Sequence, residues 1–144
     1  MMIWIDRILL LAIVVIVAVL TATALPVLAG HHLGGTMLLL HMMASGALVF
    51  ALPAAAIVWL SRNINSATSD FIQRCGFWAL IVTGFATIAT VFFCMLPYPS
   101  TQTMHQLINW HGWSGFAMVP ATVLLAIGSL RWRRIQATRS ATPG

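Results

Sequence analysis

The stretch Thr36–Leu60, TMLLLHMMASGALVFALPAAAIVWL, carries no formal charge and a single histidine. As an α-helix rising about 1.5 Å per residue it is about 37 Å long. That exceeds the roughly 30 Å of hydrocarbon in a bilayer. A run this long and this apolar is a membrane-crossing helix, and three more follow the same pattern: Ile8–Ala29, Cys75–Leu96 and Leu107–Leu130. The whole chain agrees with its parts. Of its 144 residues 60% are hydrophobic and only 6% charged, against roughly 25% charged in a soluble domain, and the mean hydropathy is +0.96. The expected fold is all-α, an integral membrane four-helix bundle forming one transmembrane domain over residues 1–144. No separate soluble domain fits in the length, so function must reside inside the bundle or at its rim.

Charge sets the expected orientation. The seven basic residues are all arginine, against Asp6 and Asp70. A pI near 11.3 would suit a nucleic-acid partner if the arginines formed a face. They sit instead at the ends of apolar runs: Arg7 before the first, Arg62 and Arg74 around the loop SRNINSATSD, and Arg131, Arg133, Arg134 and Arg139 after the fourth. The other two loops, GHHLGG and PYPSTQTMHQ, carry no formal charge. By the positive-inside rule both termini and the middle loop are cytoplasmic, which predicts a multi-pass protein of the inner membrane. Arg7 and the small residues VLAG (Val27–Gly30) also resemble a secretory leader. The first run is long for a leader core, and it is read as a span. Pro53 and Pro120 interrupt spans two and four in their cytoplasmic halves, where each is expected to kink its helix. The polar tail after Arg134 is expected to fray.

With orientation set, all five histidines fall on the outer side. His31 and His32 lie in the first outer loop. His41 is about 8 Å below the start of span two, His105 is at the outer mouth of span four, and His111 is about 9 Å deeper than His105. Spans two and four both run inward, so His41 and His111 enter at comparable depth, and two such helices can aim both imidazoles at one point in the core. A haem iron with two imidazole ligands fits that arrangement. Alone, either histidine is read as well by an interhelical hydrogen bond of about 1 kcal/mol; the matched pair favours ligation. Ser45, Gly112 and Gly115 beside them give a flat macrocycle room, although small residues equally let helices approach one another. Trp110 and Trp113 wall the cavity or anchor the interface. His105 and His111 are 240° apart at about 100° per residue, so they do not share a face. His31, His32 and His105 are candidates for a second haem or metal site, for proton exchange with a quinol, or for contact with an outer partner, set against an equal reading as wet loop histidines.

Other features are weaker. Cys75 and Cys94 lie about 28 Å apart along one helix and cannot bridge. Thr83, Thr87 and Thr90 with Gly84 form a stripe best read as a packing seam. Methionines 37, 42, 43, 95 and 104 gather toward the outer side, where thioethers with imidazoles suit copper but filler is the commoner role. Two carboxylates, both at the cytoplasmic rim, exclude carboxylate acid–base chemistry inside the membrane.

Three segments carry a family resemblance: LLLHMMASG in span two, TGFATIATVFFCMLP in span three and INWHGWSG in span four. Over Gly34–Leu130 the pattern resembles the four-helix b-type cytochrome subunits that anchor respiratory oxidoreductases such as formate dehydrogenases and membrane hydrogenases. The resemblance implies axial haem ligation by His41 and His111, and exchange of electrons between membrane quinones and a partner enzyme or cytochrome. Those families usually carry two haems, one toward each face. Here the cytoplasmic half has no histidine, and a second haem would need His31 or His32 with His105. The expected function is a haem b electron-transfer subunit of a respiratory or photosynthetic membrane complex, linking the quinone pool to an extracytoplasmic redox partner. The alternatives are a copper-binding membrane protein using His31, His32 and His105, and a structural assembly subunit without cofactor.

Overall fold

The computed structural model describes residues 2–28, 30, 34–64 and 69–141, with the backbone alone at 2, 3 and 139–141. The described residues form four helices: α1 (Met2–Leu28), α2 (Gly35–Ile64), α3 (Phe71–Cys94) and α4 (Thr101–Ala141). All four are long and apolar enough to cross a membrane. Short connections make sequence neighbours antiparallel. α1 packs on α2 and α3 on α4, and α1–α4 and α2–α3 contacts close the square. Among the described residues no Cα of α2 comes within 8 Å of α4. Those two helices therefore stand diagonally across the bundle.

The outer surface suits hydrocarbon. Phe50 and Ile57 expose 79% and 78% of their area, with Phe85 close behind at 69%; a soluble monomer rarely tolerates so continuous an apolar exterior. The core is correspondingly narrow, built from Ile13, Leu48, Leu52, Ala55, Trp59, Phe77, Leu80, Met118 and Leu125.

The α3–α4 seam is the tightest in the molecule, and glycines make it so. A Cβ on Gly76 would collide with the backbone of Leu124 and Leu125, and one on Gly128 with the backbone of Gln73. At each point a glycine on one helix admits the backbone of the other, which is how membrane helices gain van der Waals contact when the hydrophobic effect offers none between them.

At the arginine-rich end, Asp6 joins α1 to α2. Its carboxylate accepts from the Trp59 indole N–H at 2.9 Å and from Arg62 at 2.7 Å. Arg74 donates to the Asn63 carbonyl at 3.1 Å, linking α3 to the end of α2. Arg131 and Asp70 form a longer pair at 3.7 Å.

Two expectations need correction. The tail after Arg134 does not fray within the described residues; α4 runs unbroken to Ala141 because RWRRIQATRSA contains no glycine or proline to stop it, and the first breaker is Pro143. α4 also begins earlier than Leu107. Ser100 caps it, its hydroxyl accepting from the Thr103 N–H at 3.3 Å, so His105 is a helical residue. The helices run through Pro53 and Pro120, both of which are exposed.

Candidate cofactor site

The half of the bundle away from the arginines is hollow. A cavity of about 390 Å³ lies between all four helices, and Val17, Leu48 and Met118 belong both to its wall and to the core beneath. Its lining is almost wholly apolar, with Leu20 and Ala24 from α1, Val49 from α2, Ile88 and Val91 from α3, and Phe116 from α4. No formally charged residue lines it.

His41 and His111 face one another across this space, their ring centroids 6.5 Å apart and their planes 70° from parallel. Both line the cavity, as do Ser45, Gly46, Gly112 and Gly115. The glycines divide into two kinds. Gly76, Gly84 and Gly128 are pressed against a neighbouring helix, whereas a Cβ at Gly46, Gly112 or Gly115 would meet nothing within 4 Å. The second set is therefore not there for helix approach. It leaves bare backbone on the cavity wall beside the two imidazoles.

Hydrogen bonds from neighbouring helices define the state of each ring. The Thr23 hydroxyl on α1 gives its proton to its own helix, with the Val19 carbonyl at 2.8 Å and that of Leu20 at 3.0 Å. Its oxygen also lies 2.8 Å from His41 Nδ1; with the hydroxyl proton on the helix carbonyls, that oxygen accepts and Nδ1 carries the hydrogen. His111 Nδ1 lies 3.1 Å from the Thr87 carbonyl, which can only accept. The Thr90 hydroxyl is committed to that same carbonyl at 2.8 Å, so its oxygen, 3.3 Å from His111 Nδ1, accepts as well. In this arrangement both rings carry their hydrogen on Nδ1. Each keeps an unprotonated Nε2 with a free lone pair, the form in which imidazole binds a metal.

The remaining expected site residues fall as follows. Ser45 commits its hydroxyl to the His41 carbonyl at 2.8 Å. His105 is exposed on α4 and does not line the cavity. His31 and His32 lie outside the described residues. Trp110 and Trp113 are 69% and 77% exposed and face outward; they are not cavity wall. Met42 and Met95 line the cavity, but among the described residues no three of His, Cys, Asp and Glu gather to hold a metal ion. Both cysteines are free.

Four contributors escaped the sequence reading. Thr23 lies about 8 Å from the end of α1 and His41 about 9 Å from the start of α2, a depth match that would have found it. Thr87 and Thr90, read as a packing seam, hold His111. Ser114 accepts from Thr87 at 2.9 Å and ties α3 to α4 beside the ring. Compared with protein-family models, curated proteins and solved structures, the chain matches none.

Proposed function

We propose that this chain is a haem b subunit of a membrane electron-transfer complex, with His41 and His111 as the two axial ligands. The observation that carries the reading is the imidazole pair: two Nδ1–H rings from diagonal helices, 6.5 Å apart across an open apolar cavity. Imidazole nitrogens bind metals at about 2.0–2.1 Å, so rings whose centroids are 6.5 Å apart would have room for one metal atom held by both. A bare tetrahedral ion would find only two ligands here. A haem would bring its own further ligands, and the open walls at Gly46, Gly112 and Gly115 would leave it room.

Haem b held this way supplies one-electron chemistry, at a potential tuned by its imidazoles and their hydrogen bonds. The protein's own contribution is positional. Thr23, the Thr87 carbonyl and Thr90 hold the rings, the apolar wall lowers the local dielectric, and the packed core from Leu48 to Leu125 closes the site toward the arginine-rich end. With that end cytoplasmic, the site lies in the outer half of an inner membrane. Electrons then pass between the quinone pool and an extracytoplasmic redox protein docking over GHHLGG and PYPSTQTMHQ, within an assembly of other subunits. The test is to load the purified chain with haem b and add a quinol. A low-spin bis-imidazole ferric signal that the quinol bleaches is expected; high-spin haem, or no binding by folded protein, overturns the proposal.

A further inference from the structure

α1 lends no ligand to the histidine pair, yet its Thr23 is the side chain that touches His41 Nδ1. The two rings are held unequally. His111 leans on a backbone carbonyl, that of Thr87, with Thr90 as a second acceptor. Both come from α3, the helix locked to α4 by Gly76 and Gly128. His41 leans on one hydroxyl, which a substitution can remove. The Leu20 carbonyl lies beside this contact, 3.0 Å from the Thr23 hydroxyl, and is the rival acceptor for the ring.

We propose that Thr23 is a positioning residue that holds His41 in its Nδ1–H tautomer with Nε2 presented to the cavity, so that α1 sets the strength of one axial bond. The consequence for haem rests on the function proposed above; the tautomer itself does not. Thr23 is 2% exposed, and with its hydroxyl proton given to an α1 carbonyl its oxygen can accept from the ring. A hydrogen bond accepted from Nδ1–H gives the ring some imidazolate character, which strengthens Nε2 as a donor and favours the ferric state. Removing that acceptor weakens the bond and raises the potential.

Thr23→Val keeps the shape and removes the acceptor, and Thr23→Ser restores the hydroxyl. The first arm uses the haem-free full chain in lipid nanodiscs with ¹⁵N-labelled histidine, the His41 signal being assigned by its loss in His41→Asn. Wild type and Thr23→Ser are expected to show His41 protonated on Nδ1. In Thr23→Val the His41 signals move toward a mixture of tautomers, while those of His111 stay unchanged and report an intact fold. His41 remaining wholly Nδ1–H in Thr23→Val would mean that the Leu20 carbonyl suffices, and would overturn the proposal; so would an Nε2–H ring in wild type. The second arm titrates the same proteins with haem b. Thr23→Val is expected to bind about 10- to 100-fold more weakly and at a more positive midpoint potential, with Thr23→Ser near wild type. Unchanged affinity and potential beside a shifted tautomer would overturn the claim about the axial bond. If wild type takes up no haem, the functional reading fails alone and the first arm still decides Thr23.

Discussion

The two kinds of glycine make opposite predictions for the same substitution. Gly112→Ala and Gly115→Ala each add a methyl group that meets nothing within 4 Å. Only helix propensity changes, by about 0.8–1.0 kcal/mol per site in favour of alanine, so the double variant gains about 2 kcal/mol. Gly128→Ala gains the same propensity but drives its methyl into the Gln73 backbone, which no rotamer change relieves. Overpacking of this kind costs about 1–3 kcal/mol, and here α3 and α4 must separate along their whole seam, so a net loss of about 1–2 kcal/mol is expected. Unfolding by denaturing detergent, followed by circular dichroism on the purified protein, reads both. A Gly128→Ala protein at least as stable as wild type would refute the seam, and a destabilised Gly112→Ala/Gly115→Ala protein would refute the open wall. Leucine at 112 and 115 carries the test into function: helicity stays at the wild-type level while haem uptake is lost.

Replacing either His41 or His111 by alanine is expected to abolish low-spin haem while leaving the circular dichroism intact; a low-spin signal surviving either change would remove that residue from the axial position. Asp6→Ala takes the acceptor from the Trp59 N–H and breaks the Asp6–Arg62 ion pair, and should cost about 1–3 kcal/mol in the same detergent titration, with a loss below about 0.5 kcal/mol counting against the α1–α2 link. In a Cys75→Ala/Cys94→Ala background, membrane-impermeant maleimide added to intact cells should label Tyr98→Cys and not Ala137→Cys. The reverse pattern would invert the orientation taken from the arginines.

Much of this architecture is legible in the chain because a bilayer constrains sequence so strongly. A span must be about 20 apolar residues long, so the runs around His41 and His111 declare themselves. Those two histidines stand out for the same reason, since an imidazole in hydrocarbon needs a purpose. What sequence alone left undivided is the meaning of the small residues. Gly112 and Gly128 look alike on a helix, and only the neighbouring backbone tells that one faces empty space and the other faces Gln73. Helix ends were also blurred, because apolar content marks the membrane and not the helix. α4 extends from Thr101 to Ala141, well beyond Leu107–Leu130, through residues that are polar but good helix formers. The role of Thr23 stayed hidden because a threonine in an apolar span ordinarily bonds its own helix, which Thr23 also does.

The most direct measurement is the ratio of haem to protein in the chain purified from membranes, taken by pyridine haemochrome assay alongside a reduced-minus-oxidised spectrum. One haem b per chain, lost in His41→Ala and in His111→Ala, is the result expected. A folded, helical protein with no haem b, or with haem indifferent to both substitutions, would contradict the central claim.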